Sequence, residues 1–340
     1  QNNNLRNLII NNSIVTLGDS LNLFGKLSFS GNNRTFNATN GKLTLKSNAT
    51  LTASVADITK DANTQAIISG NQITGDVTVE RYISARKSWR LISMPTKHNL
   101  QTIQQSLQEN GVQASNPVPG YGTILGSSRS SWLTDGFDLN TPGATIQLLN
   151  PQTNSWVGIV STKNVSTPTP SSGKFEQGKA YFTYIRGDRS VTSSTQNATS
   201  TILREKGELQ TGAYTISLNS NAAGQNVGIG NPYASPIDFR KLNLTGVQNL
   251  FYVWDPALGV SGAYQTCNVV GSNIVVAPGG GSYANGNFNI QSGQGFIVVS
   301  SAPSAAITFN ENCKVDSNNL VSRFTSYGSA IRTQLYKMQN

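Results

Sequence analysis

The sequence predicts an all-β protein in which short β-solenoid-like rungs precede two related β-sandwich modules. Charged residues make up only 12% of the chain, about half the usual share, and Gly, Asn, Ser and Thr are abundant. These residues favour turns and weaken helices. Apolar and polar residues alternate over many short stretches, which is the period of a β-strand. Finally, three pairs of similar segments recur in the same order later in the chain.

Residues 1–74 contain an alternation that repeats. One set of apolar positions returns 22 to 24 residues later: first Leu21, Leu23, Leu27 and Phe29, then Leu43, Leu45, Leu51, Ala53 and Val55. A strand pattern repeated at intervals of about 20 residues predicts rungs of a β-solenoid, and the alternative is a small antiparallel sandwich. Two or three rungs are too few to be stable alone. We therefore expect them to continue a solenoid or to cap the next domain.

The three recurring pairs of segments predict two tandem modules. Residues 88–107 match 226–244, since each has an apolar strand running into a proline, Pro95 or Pro232. Both 146–159 and 250–264 have a strand, an Asn-Pro or Asp-Pro turn and a second strand, which is a hairpin signature. Both 175–192 and 290–309 have a Gly-led apolar strand followed by a polar turn. The predicted modules are residues 75–207 and, with a C-terminal extension, 208–340.

The stretch GDVTVERYISARKSWRLISMP (75–95) combines four cations, Arg81, Arg86, Lys87 and Arg90, with apolar and aromatic residues. It is either a basic surface for an acidic partner or two β-strands with arginine on their polar faces. We favour the strands, in which arginine stems pack against the protein while their charged heads stay in water.

One helix is predicted, at residues 99–110. Ile103 and Leu107 are spaced as on one helix face, Asn99 is a candidate N-cap and Gly111 a stop signal. The Pro/Ser/Thr-rich segment 165–174 is predicted to be an exposed loop.

The charge pattern limits the classes of partner. The net charge is +9, but the 25 Lys and Arg are spread along the chain without a run of five or six. This argues against a nucleic-acid partner and leaves attraction to an anionic extracellular polysaccharide open. No stretch approaches the roughly 18 to 20 apolar residues that span a bilayer, so we expect a protein that does not cross the membrane.

The sequence offers no catalytic constellation. His98 is the only histidine, and there is neither a GxSxG elbow nor a phosphate-binding loop. The spacing of the acids does not single out the carboxylate pair that glycoside hydrolysis needs. We therefore predict a protein that is not an enzyme and needs no cofactor.

Two groups of residues are candidates for a metal site or a covalent cross-link. Asp135, Asp138 and Asn140 in TDGFDLN place oxygen ligands close together, which is a weak calcium signal beside an ordinary Asx-rich turn. Cys267 and Cys313 are the only cysteines, and they form either a disulfide or two buried thiols.

Aromatic side chains are candidates for stacking on sugars. The candidates are Tyr121, Trp132, Trp156, Trp254 and Tyr264. Trp132 lies between polar runs and is predicted to be the most exposed, with Tyr121 as its companion. For Trp89, Trp156 and Trp254 we favour packing in the protein interior.

Several stretches together resemble the C-terminal regions of large cell-surface or secreted proteins of Bacteroidota that the type IX secretion system exports. These are GKLTLKSNATLTASVAD, ITGDVTVERYI, SWRLISMP, FEQGKAYFTYIRGDR, GNPYASPIDF and GQGFIVV, and the resemblance covers residues 5 to 336. It implies that RGDR (186–189) is a structural turn and not an adhesion ligand. Asp19-Ser20-Leu21 looks like the O-glycosylation motif of these bacteria, with Ser20 as the acceptor. The chain ends at SRFTSYGSAIRTQLYKMQN, where the resemblance leads us to expect a sorting domain next.

This resemblance implies an extracellular or cell-surface location and contact with the outer-membrane secretion and attachment machinery. The predicted function is a non-catalytic, adhesin-like structural segment, either a stalk or an attachment platform. The alternative is a carbohydrate-binding module of a secreted polysaccharide-degrading enzyme, which requires exposed aromatic rings.

Overall fold

The computed structural model describes residues 3–39, 41–97, 101–164, 173–218, 222–283, 286 and 288–316. The prediction of an all-β protein is confirmed, since 42% of the described residues lie in strands and 5% in helices. Three parts follow one another along the chain, and we call them the coil region (residues 3–74), module 1 (76–209) and module 2 (214–316).

Nine short strands form the coil region. They are β1 (Asn4–Leu5), β2 (Leu8–Ile10), β3 (Ile14–Thr16), β4 (Leu21–Leu23), β5 (Lys26–Phe29), β6 (Thr35–Asn37), β7 (Leu43–Leu45), β8 (Ser54–Val55) and β9 (Gln72–Thr74). They pair in parallel as β1-β4-β7, β2-β5-β8 and β3-β6-β9. Every third strand therefore stacks on its equivalent, as in a solenoid with three strands to a coil and unlike an antiparallel sandwich.

The stacked strands place like residues above one another. Leu5 pairs with Leu23, Leu23 with Leu45, and Leu45 with Val79 of the next strand. Leu23 and Leu45 are fully buried, whereas Leu5 is 43% exposed. The difference follows from position, because β1 is the outer strand of its sheet.

Module 1 grows directly out of the third coil. Its elements are β10 (Asp76–Ile83), β11 (Ser88–Ile92), β12 (Thr96–Lys97), α1 (Ile103–Leu107), β13 (Gly126–Ser127), β14 (Leu139–Asn140), β15 (Ile146–Asn150), β16 (Ser155–Gly158), β17 (Tyr181–Ile185) and β18 (Thr201–Leu209). Strand β10 pairs in parallel with β7 and, over eight residues, antiparallel with β18. The second sheet has the order β11-β17-β15-β16, and β13 pairs with β14.

Module 2 also has two main sheets. Its strands are β19 (Tyr214–Ser217), β20 (Asn226–Gly230), β21 (Asn243–Thr245), β22 (Val247–Asp255), β23 (Ala263–Val270), β24 (Asn273–Ala277), β25 (Gly295–Ser300) and β26 (Ala306–Phe309), with 3-10 helices at Phe239–Lys241, Gly281–Tyr283 and Glu311–Cys313. The sheet orders are β19-β26-β21 and β20-β25-β22-β23-β24.

The two modules have the same order of strands. The sheet β10-β18-β12 corresponds to β19-β26-β21, and β11-β17-β15-β16 corresponds to the first four strands of β20-β25-β22-β23-β24. The three pairs of segments that resemble each other in sequence supply equivalent strands: β11 and β20, β15 and β22, β17 and β25.

The helix differs from its prediction. It comprises Ile103–Leu107 only, and its N-cap is Thr102, whose side chain accepts from the backbone N–H of Gln105 in a capping box. The predicted cap Asn99 lies outside the described residues, as do His98, positions 165–172 of the predicted loop and the chain beyond residue 316.

A buried carboxylate is among the groups that join module 2 to the coil region, beside a backbone hydrogen bond from Val55 to Ala234. Glu311 accepts from the backbone N–H of Ile58 in the third coil at 3.0 Å and from that of Gly212 at 2.8 Å. It also pairs with Lys314 at 2.7 Å, and both side chains are at most 5% exposed.

The loss of stability on truncating a leucine of the coil region should depend on whether its strand is an inner or an outer strand of the parallel sheet. Leu45→Ala is expected to lower the free energy of unfolding by about 2–5 kcal/mol, because it opens a cavity in a closed core. Leu5→Ala should cost much less, since its side chain already faces solvent in part. Chemical denaturation of both variants measures the difference. Equal losses in the free energy of unfolding would contradict the partly exposed position of Leu5 in the outer strand β1.

Candidate functional site

The most elaborate arrangement of side chains lies where module 1 meets module 2. Two isolated β-bridges join the modules there, one between Ile92 and Gln294 and the other between Lys179 and Ile229. Ile92 and Ile229 occupy equivalent positions in β11 and β20, and Lys179 and Gln294 do so before β17 and β25. A local twofold axis at the junction therefore relates the strands of module 1 to the equivalent strands of module 2.

Backbone hydrogen bonds follow the same symmetry. The N–H of Ser93 donates to the carbonyl of Gly293 at 3.0 Å, and the equivalent N–H of Gly230 donates to the carbonyl of Gly178 at 2.8 Å. A Cβ at Gly295 would lie 2.5 Å from the Cβ of Ala180, so the two strands approach too closely for a side chain there.

A cluster of aromatic rings fills one side of the junction. Phe182 lies at its centre, with ring centroids 4.6 Å from Trp89, 4.7 Å from Trp156 and 4.8 Å from Trp254. The Nε1–H of Trp156 donates to the hydroxyl of Tyr264 at 3.1 Å, across the two modules. The three tryptophans are half-buried. Trp89 and Trp156 of module 1 and Trp254 of module 2 all pack on Phe182 and do not form a row for sugars.

The cations of the basic stretch have three different surroundings. Arg86 donates to the carbonyls of Gly259 and Val260 in module 2, and Lys87 donates to the carbonyls of the loop at residues 193–196. Both side chains therefore hold loops in place. Arg90 is only 4% exposed, so the prediction that its charged head stays in water is wrong.

The guanidinium group of Arg90 is buried without a hydrogen-bond partner in the described structure, and this affects its pKa. None of its three guanidinium nitrogens makes a hydrogen bond in the described structure. Burial, and secondarily the positive charge of Arg86, lowers the pKa of Arg90 to about 9, which Asp255 opposes only in part.

The two residues predicted to stack on sugars do not form an exposed platform. Trp132 is half-buried and packs against the core of module 1, so the prediction that it is the most exposed aromatic is wrong. The ring of Tyr121 is covered by the guanidinium of Arg204, 4.5 Å from its centroid, and Lys46 lies at 5.9 Å. Tyr264 is more exposed, at 38%.

The predicted calcium ligands have other partners. Asp138 is buried, and its two oxygens accept from Nη1 and Nη2 of Arg189 at 3.0 and 2.6 Å. Asp135 instead accepts from Arg129 and Ser131.

Further hydrogen bonds fill the remaining positions around the Asp138 carboxylate. It accepts from the backbone N–H of Leu125 at 2.9 Å and from the side chain of Gln108 at 2.8 Å. Asn140 is exposed at the edge strand β14. Among the described residues, no three His, Cys, Asp or Glu side chains gather as a metal-binding group, so the contacts of these three residues favour the ordinary turn over the weak calcium signal.

The RGDR segment forms a buried turn. Gly187 has φ +146°, a value that few side-chain-bearing residues adopt. Asp188 is 7% exposed and accepts from the backbone N–H of Gly120 and from Ser190. Hydrogen bonds with Ser190 and with that N–H hold the pKa of Asp188 below its usual value despite burial. With Arg189 paired to Asp138, the segment has a structural role.

Of the two states that the sequence left open for the cysteines, the structure has two buried thiols. Cys267 and Cys313 are both free thiols, and both lie fully buried in the core of module 2. Burial raises the pKa of each to about 12, so neither is a nucleophile at neutral pH.

Ser20, the candidate glycosylation acceptor, lies between β3 and β4. Its side chain is exposed, and its backbone N–H donates to the Asp19 carboxylate at 2.7 Å. The hydroxyl is therefore accessible from solvent, as a modification would require.

One buried carboxyl was not suggested by the sequence. Glu205 in β18 is 1% exposed, and neither of its oxygens has a hydrogen-bond partner in the described structure. Burial raises its pKa to about 8, and the nearby Thr96 hydroxyl, outside hydrogen-bonding geometry, lowers it only in part. Period-2 alternation places residue 205 on the inward face of β18, and this was the signal available in the sequence.

The class of protein these features define is an all-β chain of parallel coils joined to two modules related by a local twofold axis. A comparison of the chain with protein-family models, curated proteins and solved structures finds no match. No helix in the described part of the chain is long and apolar enough to cross a membrane.

Breaking the buried ion pair of module 1 should be costly. Asp138→Asn leaves the Arg189 charge buried without a counter-charge, and we expect a loss of about 3–5 kcal/mol in the free energy of unfolding. The matched control is Asp135→Asn, which breaks the more exposed pair with Arg129 and should cost about 0–1 kcal/mol. Urea denaturation compares them, and similar small losses would show that Arg189 finds another partner.

The buried Glu205 should make stability depend on pH. Its pKa in the folded state, about 8, lies above that of an unfolded glutamate, so unfolding releases a proton between the two values. The free energy of unfolding should therefore fall as pH rises from ~5 to ~8, by at most about 1.4 kcal/mol per pH unit. In Glu205→Gln this component of the slope should vanish. An unchanged slope in denaturation curves would contradict a protonated Glu205.

Proposed function

We propose that the chain is a non-catalytic structural segment of an exported bacterial surface protein, serving as a stalk or attachment platform outside the cell. The sequence resemblance to type IX-exported proteins supplies the cellular context. The observation that carries the proposal is the continuous backbone connection from the coils to the modules through β10.

Strand β10 belongs to two structures at once. Three of its residues pair in parallel with β7 of the coil region, and all eight pair antiparallel with β18 of module 1. A force applied to the coils therefore passes into module 1 through two ladders of backbone hydrogen bonds, β7 with β10 and β10 with β18. Such a connection suits a segment that bears load between a cell and a surface.

The outer face of the first coil supports the stalk interpretation. Leu5 is 43% exposed, Ile9 45% and Ile14 69%, and β1, β2 and β3 are each the outer strand of their parallel sheets. Unpaired strand edges with apolar side chains favour pairing with further β-structure. The proposed stalk would extend by stacking more parallel coils on this face.

A polysaccharide-binding role is the second candidate, and one observation favours it. An open groove of about 800 Å³ beside the junction is lined by Arg86, Lys87, Tyr184, Gln196 and Asn197. Amide groups, cations and one aromatic ring suit an anionic sugar chain, and the net charge of +9 would attract it.

The stalk proposal predicts that the protein is displayed on the cell surface. Antibodies against the folded chain should label intact cells of the producing bacterium, and external protease should remove the label. Loss of type IX export should abolish the surface label. Labelling that requires cell lysis would overturn the proposal.

Polysaccharide arrays separate the two candidates. The second candidate is supported if the purified chain binds a defined acidic polysaccharide at moderate salt and Tyr184→Ala removes that binding. Trp132→Ala is the comparison, since Trp132 lies outside the groove lining. Absence of binding, or weak adhesion to every acidic polymer that salt abolishes, leaves only the structural role.

A further inference from the structure

The local twofold axis creates two equivalent clefts at the junction, and they differ in chemistry. One is lined by Val227, Leu149 and Gln177, among others, and has a volume of about 360 Å³. The equivalent positions of the second cleft are Arg90, Trp254 and Ser292, and its volume is about 30 Å³. A core valine in one copy is thus an arginine in the other.

The small cleft contains hydrogen-bond donors that lack acceptors. All three guanidinium nitrogens of Arg90 and the hydroxyl of Ser292 are buried, and none has a hydrogen-bond partner within the described part of the chain. Arg90 is 4% exposed and Ser292 2%. Arg81 lines the same cleft and adds a second positive charge.

Among the residues that the structure describes, no carboxylate lies at hydrogen-bonding distance from Arg90. Asp255 is the acidic group that acts on it, but its oxygens accept from the backbone N–H of Ala257 and from Ser282, by both N–H and Oγ–H. Its attraction is also opposed by the nearby charge of Arg86. A buried, unpaired cation costs several kcal/mol, so a counter-ion would have a strong effect here.

The size of the cleft selects the kind of counter-ion. A cavity needs roughly 10–15 Å³ for one water-sized particle, so the cleft of about 30 Å³ has room for two or three such particles at most. Phosphate, sulfate and acidic sugars carry several heavy atoms and are too large. Water would fit but would leave the charge of Arg90 uncompensated.

We propose that this cleft binds a small monatomic anion of the chloride class, held by Arg90 from module 1 and by the Ser292 hydroxyl from module 2. The two donors come from different modules, so the anion would also strengthen their attachment. This anion site does not depend on the proposed surface function.

Bromide, a heavier ion of the same class, locates the site directly. Crystals of the wild-type chain grown or soaked in sodium bromide should show an anomalous peak within hydrogen-bonding distance of Arg90 and Ser292. Absence of a peak in this cleft at molar bromide would overturn the proposal, whatever the behaviour of the variants.

Thermal unfolding tests whether the anion acts through Arg90. Sodium chloride is compared with sodium gluconate at equal ionic strength, because gluconate is too large for the cleft. Chloride at about ten times its dissociation constant should raise the wild-type unfolding temperature by about 2 °C relative to gluconate.

In Arg90→Met the difference between chloride and gluconate should disappear, and Ser292→Ala should reduce it. The control Arg6→Met, at an exposed position, should keep the wild-type response. Equal unfolding temperatures of the wild type in the two salts would refute the site, as would an undiminished chloride response in Arg90→Met.

Discussion

The double pairing of β10 is the constraint on which the rest of the structure depends. Its parallel partner β7 fixes the register of the coils, because Val77 and Val79 continue the buried columns of Leu43 and Leu45. Its antiparallel partner β18 fixes module 1, because all eight residues of β10 are paired. A shift of one residue would turn the valines outward and expose Ile83, so both registers have to be correct together.

The second determinant is the self-complementary junction. Each module contributes the same strand edge and the same backbone hydrogen bonds, and close approach is possible because Gly295 lies opposite Ala180. Around Phe182 the copies have diverged into a cluster of large rings, and around Arg90 into a polar cleft. Symmetry fixes the backbone there, while side-chain differences between the copies give each side its own chemistry.

The sequence predicted those features that depend on neighbouring residues. Alternation located the strands, and the order of similar segments located equivalent strands in the two modules. Prediction from the sequence failed where the partners are distant in the chain. Asp138 and Arg189 are 51 residues apart, and the residues that flank each of them do not indicate an ion pair. The sequence prediction also placed the head of Arg90 in water, because an arginine in an alternating strand is compatible with either face until the packing of the second module is known. The spacing of Cys267 and Cys313 allowed a bond, but both side chains are separate parts of an apolar core.

The short connection between the modules has a consequence for assembly. Strand β18 ends at Leu209 and β19 begins at Tyr214, so each module always has its twin within reach at a high effective concentration. A self-complementary surface on a separate molecule would compete poorly for the same face. A tether too short for the two modules to reach each other would remove that advantage, so that module 1 of one chain would dock on module 2 of a second chain, giving a domain-swapped dimer from surfaces that a single chain now satisfies internally.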